Sequence, residues 1–195
     1  MKWFIYLPFA AVAILLGSLF VIALPDAVER AKVGYDRAHA SACEALQAAP
    51  TNPVLGRIPV DAPDFELPNF TGQLVKLSAL RGSVVLVNFW ATWCQTCAVE
   101  IPSMEQLAVK MQGKPFRMLA VSIDEDWPVV REFFPKGTPL EVLLDKHKTT
   151  PPRYGTEKFP ESFIVDKEGK IRYYVISDRD WNQPDIASCL DSLVD

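Results

Sequence analysis

The stretch VNFWATWCQTCAVEIPSME, residues 87–105, sets Cys94 and Cys97 two residues apart, after an apolar run and before a segment of helical composition. SVVLVNFW (83–90) is a continuous β-branched and apolar run, the pattern of a strand covered on both faces, and residues 95–112 can continue as a helix. The dithiol then stands at a strand-to-helix junction. In a first helical turn the unpaired N–H groups and the macrodipole stabilise a thiolate, which makes Cys94 the nucleophile of a redox pair. Cys97, three positions on, lies on the same side of the turn and can displace a mixed disulfide formed at Cys94. Gln95 and Thr96 add no charge, so the helix terminus is expected to supply most of the activation. A structural zinc site needs four ligands, usually as two close pairs. Only one close pair exists; Cys43 and Cys189 stand far apart, and His39 and His147 do not fall at ligand spacing. No metal and no cofactor are expected.

Outward from this stretch, strand-like and helix-like segments alternate. DFELPNFTGQLVKLSALRG (64–82) holds two short strand-like runs about Asn69-Phe70-Thr71-Gly72, which reads as a hairpin. FRMLAVSID (116–124) repeats the buried-strand pattern, DWPVVREFF (126–134) can form a helix, and LEVLL (140–144) is a third short strand. ESFIVD (161–166) and KIRYYVI (170–176) flank the turn Lys167-Glu168-Gly169-Lys170, and PDIASCLDSLVD (184–195) closes as a helix. The fold class is α/β, a mixed sheet with helices on both faces.

The 195 residues carry a net charge of -4 and no run of Lys or Arg, which excludes the electrostatic footprint of a nucleic-acid binder. From Trp3 to Leu24 no charge interrupts 22 positions. As a helix these reach roughly 33 Å, the thickness of a bilayer's hydrocarbon core. The expected organisation is a transmembrane anchor (1–25), a juxtamembrane helix and Pro-rich linker (26–60) and a folded domain (61–195). A cleaved signal peptide is the rival reading of the first segment. Lys2 and the α-amino group favour a cytoplasmic N-terminus, so the domain faces outward. Val28, Ala31, Tyr35, Ala38, Ala42, Ala45 and Ala49 share a helix face that can dock lightly or serve as a solvated spacer. Pro50, Pro53, Pro59 and Pro63 punctuate the segment after it.

FWATWCQTCAVEIPSME together with KFPESFIVDKEGKI (158–171) resembles the thioredoxin superfamily, and within it the membrane-anchored extracytoplasmic thiol–disulfide oxidoreductases of the TlpA/ResA/DsbE type. The resemblance covers roughly residues 62–195. It implies a thioredoxin fold with Cys94 attacking, Cys97 resolving, and Pro160 as a cis-proline facing them. The Phe159 backbone would there pair with a bound protein substrate. Trp93, just before the nucleophile, is expected on the docking surface, and Trp90, Trp127, Phe133 and Phe134 in packing. The resemblance also implies reduction of protein disulfides, for instance in cytochrome c maturation, with electrons from a membrane thiol reductant. The chain would then sit in a bacterial inner membrane by a single pass, its catalytic domain on the periplasmic side. Two positions depart from the family: Gln95-Thr96 replace the Gly-Pro of thioredoxin proper, and Phe159 is bulkier than the residue usual before the cis-proline.

Thioredoxin proper carries a buried Asp six residues before its first cysteine, where Asn88 stands here and cannot titrate. Glu100, one turn after Cys97 on the same face, is expected to take the proton instead, its pKa raised by burial; it also matches a Glu of the TlpA/ResA group. The other reading is an acid favoured at a helix N-terminus. An even cysteine count in an oxidising compartment makes Cys43 and Cys189 a candidate structural disulfide, the alternative being two unrelated thiols. Two other functions remain: a peroxiredoxin-like thiol peroxidase using Cys94, and a non-enzymatic copper-binding module using the thiol pair.

Overall fold

The structure, a computed structural model, describes residues 25, 27–30, 43, 46 and 51–194. The apolar stretch 3–24 and most of the expected juxtamembrane helix lie outside the described residues. Pro25 and residues 27–30 are helical. Among the described residues no helix is long and apolar enough to cross a membrane.

A compact unit runs from Ala42 to Asp195. Its six-stranded sheet has the order β3 (Val60–Asp61), β10 (Lys170–Ile176), β9 (Glu161–Val165), β6 (Val84–Trp90), β7 (Phe116–Ser122), β8 (Glu141–Leu144). β6, β7 and β8 are mutually parallel, and β9 returns antiparallel beside β6. Each parallel crossover carries a helix, α1 (Gln95–Lys110) after β6 and α2 (Trp127–Phe133) after β7. Then follow α3 (Thr150–Arg153) and, after the β9–β10 hairpin, α4 (Pro184–Val194).

All seven residues of β6 are buried, which explains why its sequence lacks the alternation of a half-exposed strand. Alternation reappears in what each side chain meets. Val84, Leu86 and Trp90 pack with Cys97, Ile101, Met104 and Leu107 of α1 and with Ile186, Leu190 and Leu193 of α4. Val85, Val87 and Phe89 pack on the other face with Phe65, Leu67, Tyr154, Phe163 and Tyr174. Trp90, wholly buried, meets Phe133 and Phe134 with ring centroids 5.0 and 5.5 Å away.

The hairpin of β4 (Glu66–Pro68) and β5 (Leu74–Lys76) turns where Asn69 caps it: Asn69 Oδ1 accepts from the backbone N–H of Thr71 and Gln73 at 3.0 and 3.1 Å. The segment read as linker is in part folded. β1 (Thr51–Asn52) pairs with β2 (Gly56–Arg57), Asn52 Nδ2 donates to the Tyr154 carbonyl at 2.9 Å, and β3 adds to the edge of the sheet beside β10. Isolated prolines suggested an extended chain, but one buried Asn side chain closes its turn and joins it to the unit. Cys43 and Cys189 are joined by a disulfide, their Cα atoms 4.6 Å apart and both residues wholly buried. The bond ties the start of the unit to α4.

Candidate active site

β6, an inner strand between β9 and β7, ends at Trp90, and a three-residue turn, Ala91-Thr92-Trp93, leads into α1. Asp124, just past β7 and buried, holds that turn: its carboxylate accepts from the Thr92 N–H at 3.1 Å and the Thr92 hydroxyl at 2.9 Å, and from the Ser122 hydroxyl at 2.7 Å. Cys94 is the N-cap of α1 with extended backbone, and its Sγ accepts the Cys97 N–H at 3.2 Å. A sulfur thus occupies the place of the usual capping oxygen, where the first-turn donors and the helix dipole converge. Cys94 and Cys97 are bonded to each other, Cys94 at 7% exposure and Cys97 at 0%. Of the two residues, only Cys94 keeps any exposed surface.

The rim is apolar and open. Trp93 is 66% exposed, and its ring meets that of Phe159 edge-on at 6.1 Å. The Phe159–Pro160 peptide is cis. The Thr96 hydroxyl lies 3.4 Å from Cys94 Sγ and 3.5 Å from the Phe159 carbonyl oxygen, so the loop carrying Phe159 and Pro160 borders the dithiol. Trp93, Cys94, Cys97, Phe159 and Pro160 are therefore brought together.

Glu100 lies beneath this surface at 2% exposure. Its Oε1 accepts the indole N–H of Trp181, and its Oε2 accepts from Asn88 Nδ2 at 3.2 Å. Asn88 also donates to the Ser162 hydroxyl at 2.9 Å. The indole N–H and the Asn88 amide N–H can only donate, so both bonds favour the ionised carboxylate. Burial raises the pKa from the usual 4.5 to about 7; the Trp181 and Asn88 hydrogen bonds oppose it, the Asp178 carboxylate adds to it, and a backbone bond from Arg179 opposes it. A carboxyl near neutrality is suited to taking and returning a thiol's proton at physiological pH.

Trp181, Asp124 and Ser162 were not singled out by sequence. The Ser103 hydroxyl accepts the Trp181 backbone N–H at 3.0 Å and donates to the Glu100 carbonyl at 2.8 Å, fixing the segment before α4 against α1. That contact spans 78 residues, and no local pattern announces it. Asp124 had one usable signal, an acid directly after a buried strand. Glu161, beside Pro160 and buried on the other face of β9 from Ser162, is a second carboxyl pushed up by burial, with the nearby Thr156 and Tyr174 hydroxyls opposing. Among the described residues no group of three or more His, Cys, Asp or Glu is placed to hold a metal ion.

The raised pKa of Glu100 has a stability signature. A carboxyl whose pKa is higher folded than unfolded adds stability that is fully present below its ordinary pKa and lost as pH rises through the folded value. With a rise from 4.5 to about 7, oxidised wild type should lose about 3 kcal/mol between pH 4.5 and pH 8 from this group alone. Glu100→Gln cannot ionise and keeps an acceptor for Trp181; Asn88 Oδ1, buried without a partner, can turn to meet the new amide. Denaturant melts at pH 5 and pH 8 should show the variant gaining on wild type by about that amount at the higher pH. Equal pH dependence of the two proteins would remove the perturbed carboxyl from the account.

Residues 58–174 match the AhpC/TSA family. The thiol–disulfide oxidoreductase ResA of Bacillus thuringiensis is 33% identical over 120 residues, 61% of this chain and 69% of that protein. ResA of Bacillus subtilis is 32% identical over 112 residues, 57% of this chain and 63% of its own. A crystal structure from Chlorobium tepidum, described as a thiol:disulfide interchange protein DsbE, superposes with a TM-score of 0.62 at 36% identity, covering 69% of this chain and 96% of that one. With a bonded Cys-x-x-Cys pair capping the helix after the central strand of a thioredoxin-like sheet, the chain belongs to the AhpC/TSA family and, within it, to the thiol–disulfide oxidoreductases of the TlpA/ResA/DsbE type.

Proposed function

We propose that this protein reduces disulfides of protein substrates outside the cytoplasm, held to the inner membrane by residues 1–25 and facing the periplasm. The observation that carries the reading is the pairing of one approachable sulfur, Cys94, with one buried sulfur, Cys97, above a buried carboxyl of near-neutral pKa.

In the reduced protein the Cys94 thiolate attacks one sulfur of a substrate disulfide. That S–S bond breaks, a mixed disulfide forms, and the second substrate sulfur leaves as a thiolate that takes up a proton. Glu100 accepts the proton of Cys97, whose thiolate attacks Cys94 Sγ and releases the first substrate sulfur, to which Glu100 returns that proton. Two electrons reach the substrate with two protons, one by way of Glu100 and one from solvent, and the Cys94–Cys97 bond is restored. A membrane-bound thiol reductant returns the pair to the dithiol. Trp93, Phe159 and Pro160 form the docking rim, apolar enough to hold an unfolded or extended chain by burial of its side chains. Cys43–Cys189 is structural, closed off from exchange by its burial. Apocytochrome c, with a cysteine pair awaiting haem, is the substrate class in view.

Insulin reduction and peroxide consumption, measured side by side on the full chain in detergent with a dithiol donor, test the reading. Insulin turnover without peroxide turnover is expected. Peroxide consumption alone would make Cys94 a peroxidatic thiol and displace the reductase.

A further inference from the structure

The exposed hydroxyl at position 96 stands between two acceptors, Cys94 Sγ at 3.4 Å and the Phe159 carbonyl oxygen at 3.5 Å. The first is an ordinary separation for a hydrogen bond to sulfur, while the second is at the long limit for one between oxygens. The hydroxyl has a single proton, so only one of these acceptors can hold it at a time. In the oxidised protein Cys94 Sγ is a disulfide sulfur, a weak acceptor, and the neutral carbonyl competes for the proton. In the reduced protein the same sulfur is an anion at the helix N-terminus, and hydrogen bonds to ionised groups are roughly twice as strong as those between neutral ones.

We infer that Thr96 is a catalytic residue whose hydroxyl, shared between the two acceptors in the oxidised protein, donates to the Cys94 thiolate once the disulfide is reduced. The thiolate then has two donors from α1, the Cys97 N–H at 3.2 Å and the Thr96 hydroxyl. Gln95 and Thr96 add no charge, but a hydroxyl donor at position 96 would share with the helix terminus the activation expected of that terminus. It rests on the proposed function only in taking Cys94 as the attacking sulfur.

The titratable and charged groups around this site are Cys97, bonded to Cys94; Glu100, further along α1; Asp124, which holds the preceding turn; Glu157, Lys158 and Glu161, beside Phe159 and Pro160 in sequence; and Asp178, which acts on Glu100. Variants at position 96 leave all of these unchanged, so a comparison with wild type isolates the hydroxyl. Threonine and valine have the same shape and similar helix propensity, and the position is exposed, so the exchange does not disturb the core.

The test is the pH dependence of Cys94 alkylation by iodoacetamide in the anaerobically reduced full chain, for wild type, Thr96→Val and Thr96→Ser. Losing one donor to the thiolate should move the inflection up by about 0.5–1 pH unit in the valine variant. The serine variant, which keeps the hydroxyl, should follow wild type. A valine profile that overlays wild type would overturn the inference, as would a serine profile displaced as far as the valine one, which would assign the effect to the lost methyl. Because the readout is a thiol titration, it stands or falls apart from the insulin assay: a wild type that reduces nothing would sink the proposed function and leave this result intact.

Discussion

Cys94→Ser should lose disulfide reduction entirely, by at least about a thousandfold, because removing a nucleophile removes the covalent route itself. Cys97→Ser should behave differently. It retains the approachable sulfur at the helix cap but cannot resolve, so the first exchange proceeds and stops at a mixed disulfide. In cells this variant should accumulate covalent adducts that disappear with dithiothreitol, and their second component identifies the substrate. The asymmetry follows from burial, 7% for Cys94 against 0% for Cys97. If Cys94→Ser also trapped adducts to the same extent, the order of attack would be reversed.

The double variant Cys43→Ala/Cys189→Ala should be much less stable than wild type while keeping its redox pair. The bond closes a loop of 146 residues, and in the chain-entropy model a cross-link of that span stabilises by about 5 kcal/mol. For a domain of this size the melting temperature should fall by about 10–20 °C. Both half-cystines are wholly buried and pack in the cluster that holds α1 and α4 against the sheet, so loosening them frees the C-terminal helix first. Insulin reduction at 25 °C, below the lowered transition, should persist. A melting temperature within about 2 °C of wild type would mean that the linkage contributes nothing to the fold.

What the sequence disclosed and what it withheld divide along sequence distance. The uninterrupted apolar run 83–90 and the helical composition after it are local signals, and β6 and α1 follow them closely. The β9–β10 hairpin and α4 were legible for the same reason, each being set by its own residues and a turn with Gly169 at φ 81. Glu100 was reachable by helix spacing plus the missing Asp at position 88. Its partner Trp181 was not, because the bond between them spans 81 residues and depends on where α4 docks. The β1–β2 hairpin was missed because its determinant, Asn52, caps its own turn and bonds Tyr154, 102 residues away. α3, with Pro151 and Pro152 in its single turn, looks like a break in sequence; prolines are tolerated there because first-turn N–H groups have no helical partner to lose. Thr96 was read only as adding no charge; that its hydroxyl lies between Cys94 Sγ and the Phe159 carbonyl depends on a loop 63 residues away.

The most direct test of the central claim is a single turnover with no recycling reductant. Fully reduced protein is desalted, mixed with excess oxidised insulin, quenched by acid and mapped by alkylation. Prior reduction is made gentle enough to spare the buried Cys43–Cys189 bond, and this is verified before mixing. The account predicts one insulin disulfide opened per chain, with Cys94 and Cys97 both converted from thiol to their mutual disulfide and Cys43–Cys189 unchanged. Insulin thiols appearing while Cys94 and Cys97 remain free, or oxidation at Cys43 and Cys189 in their place, would contradict it.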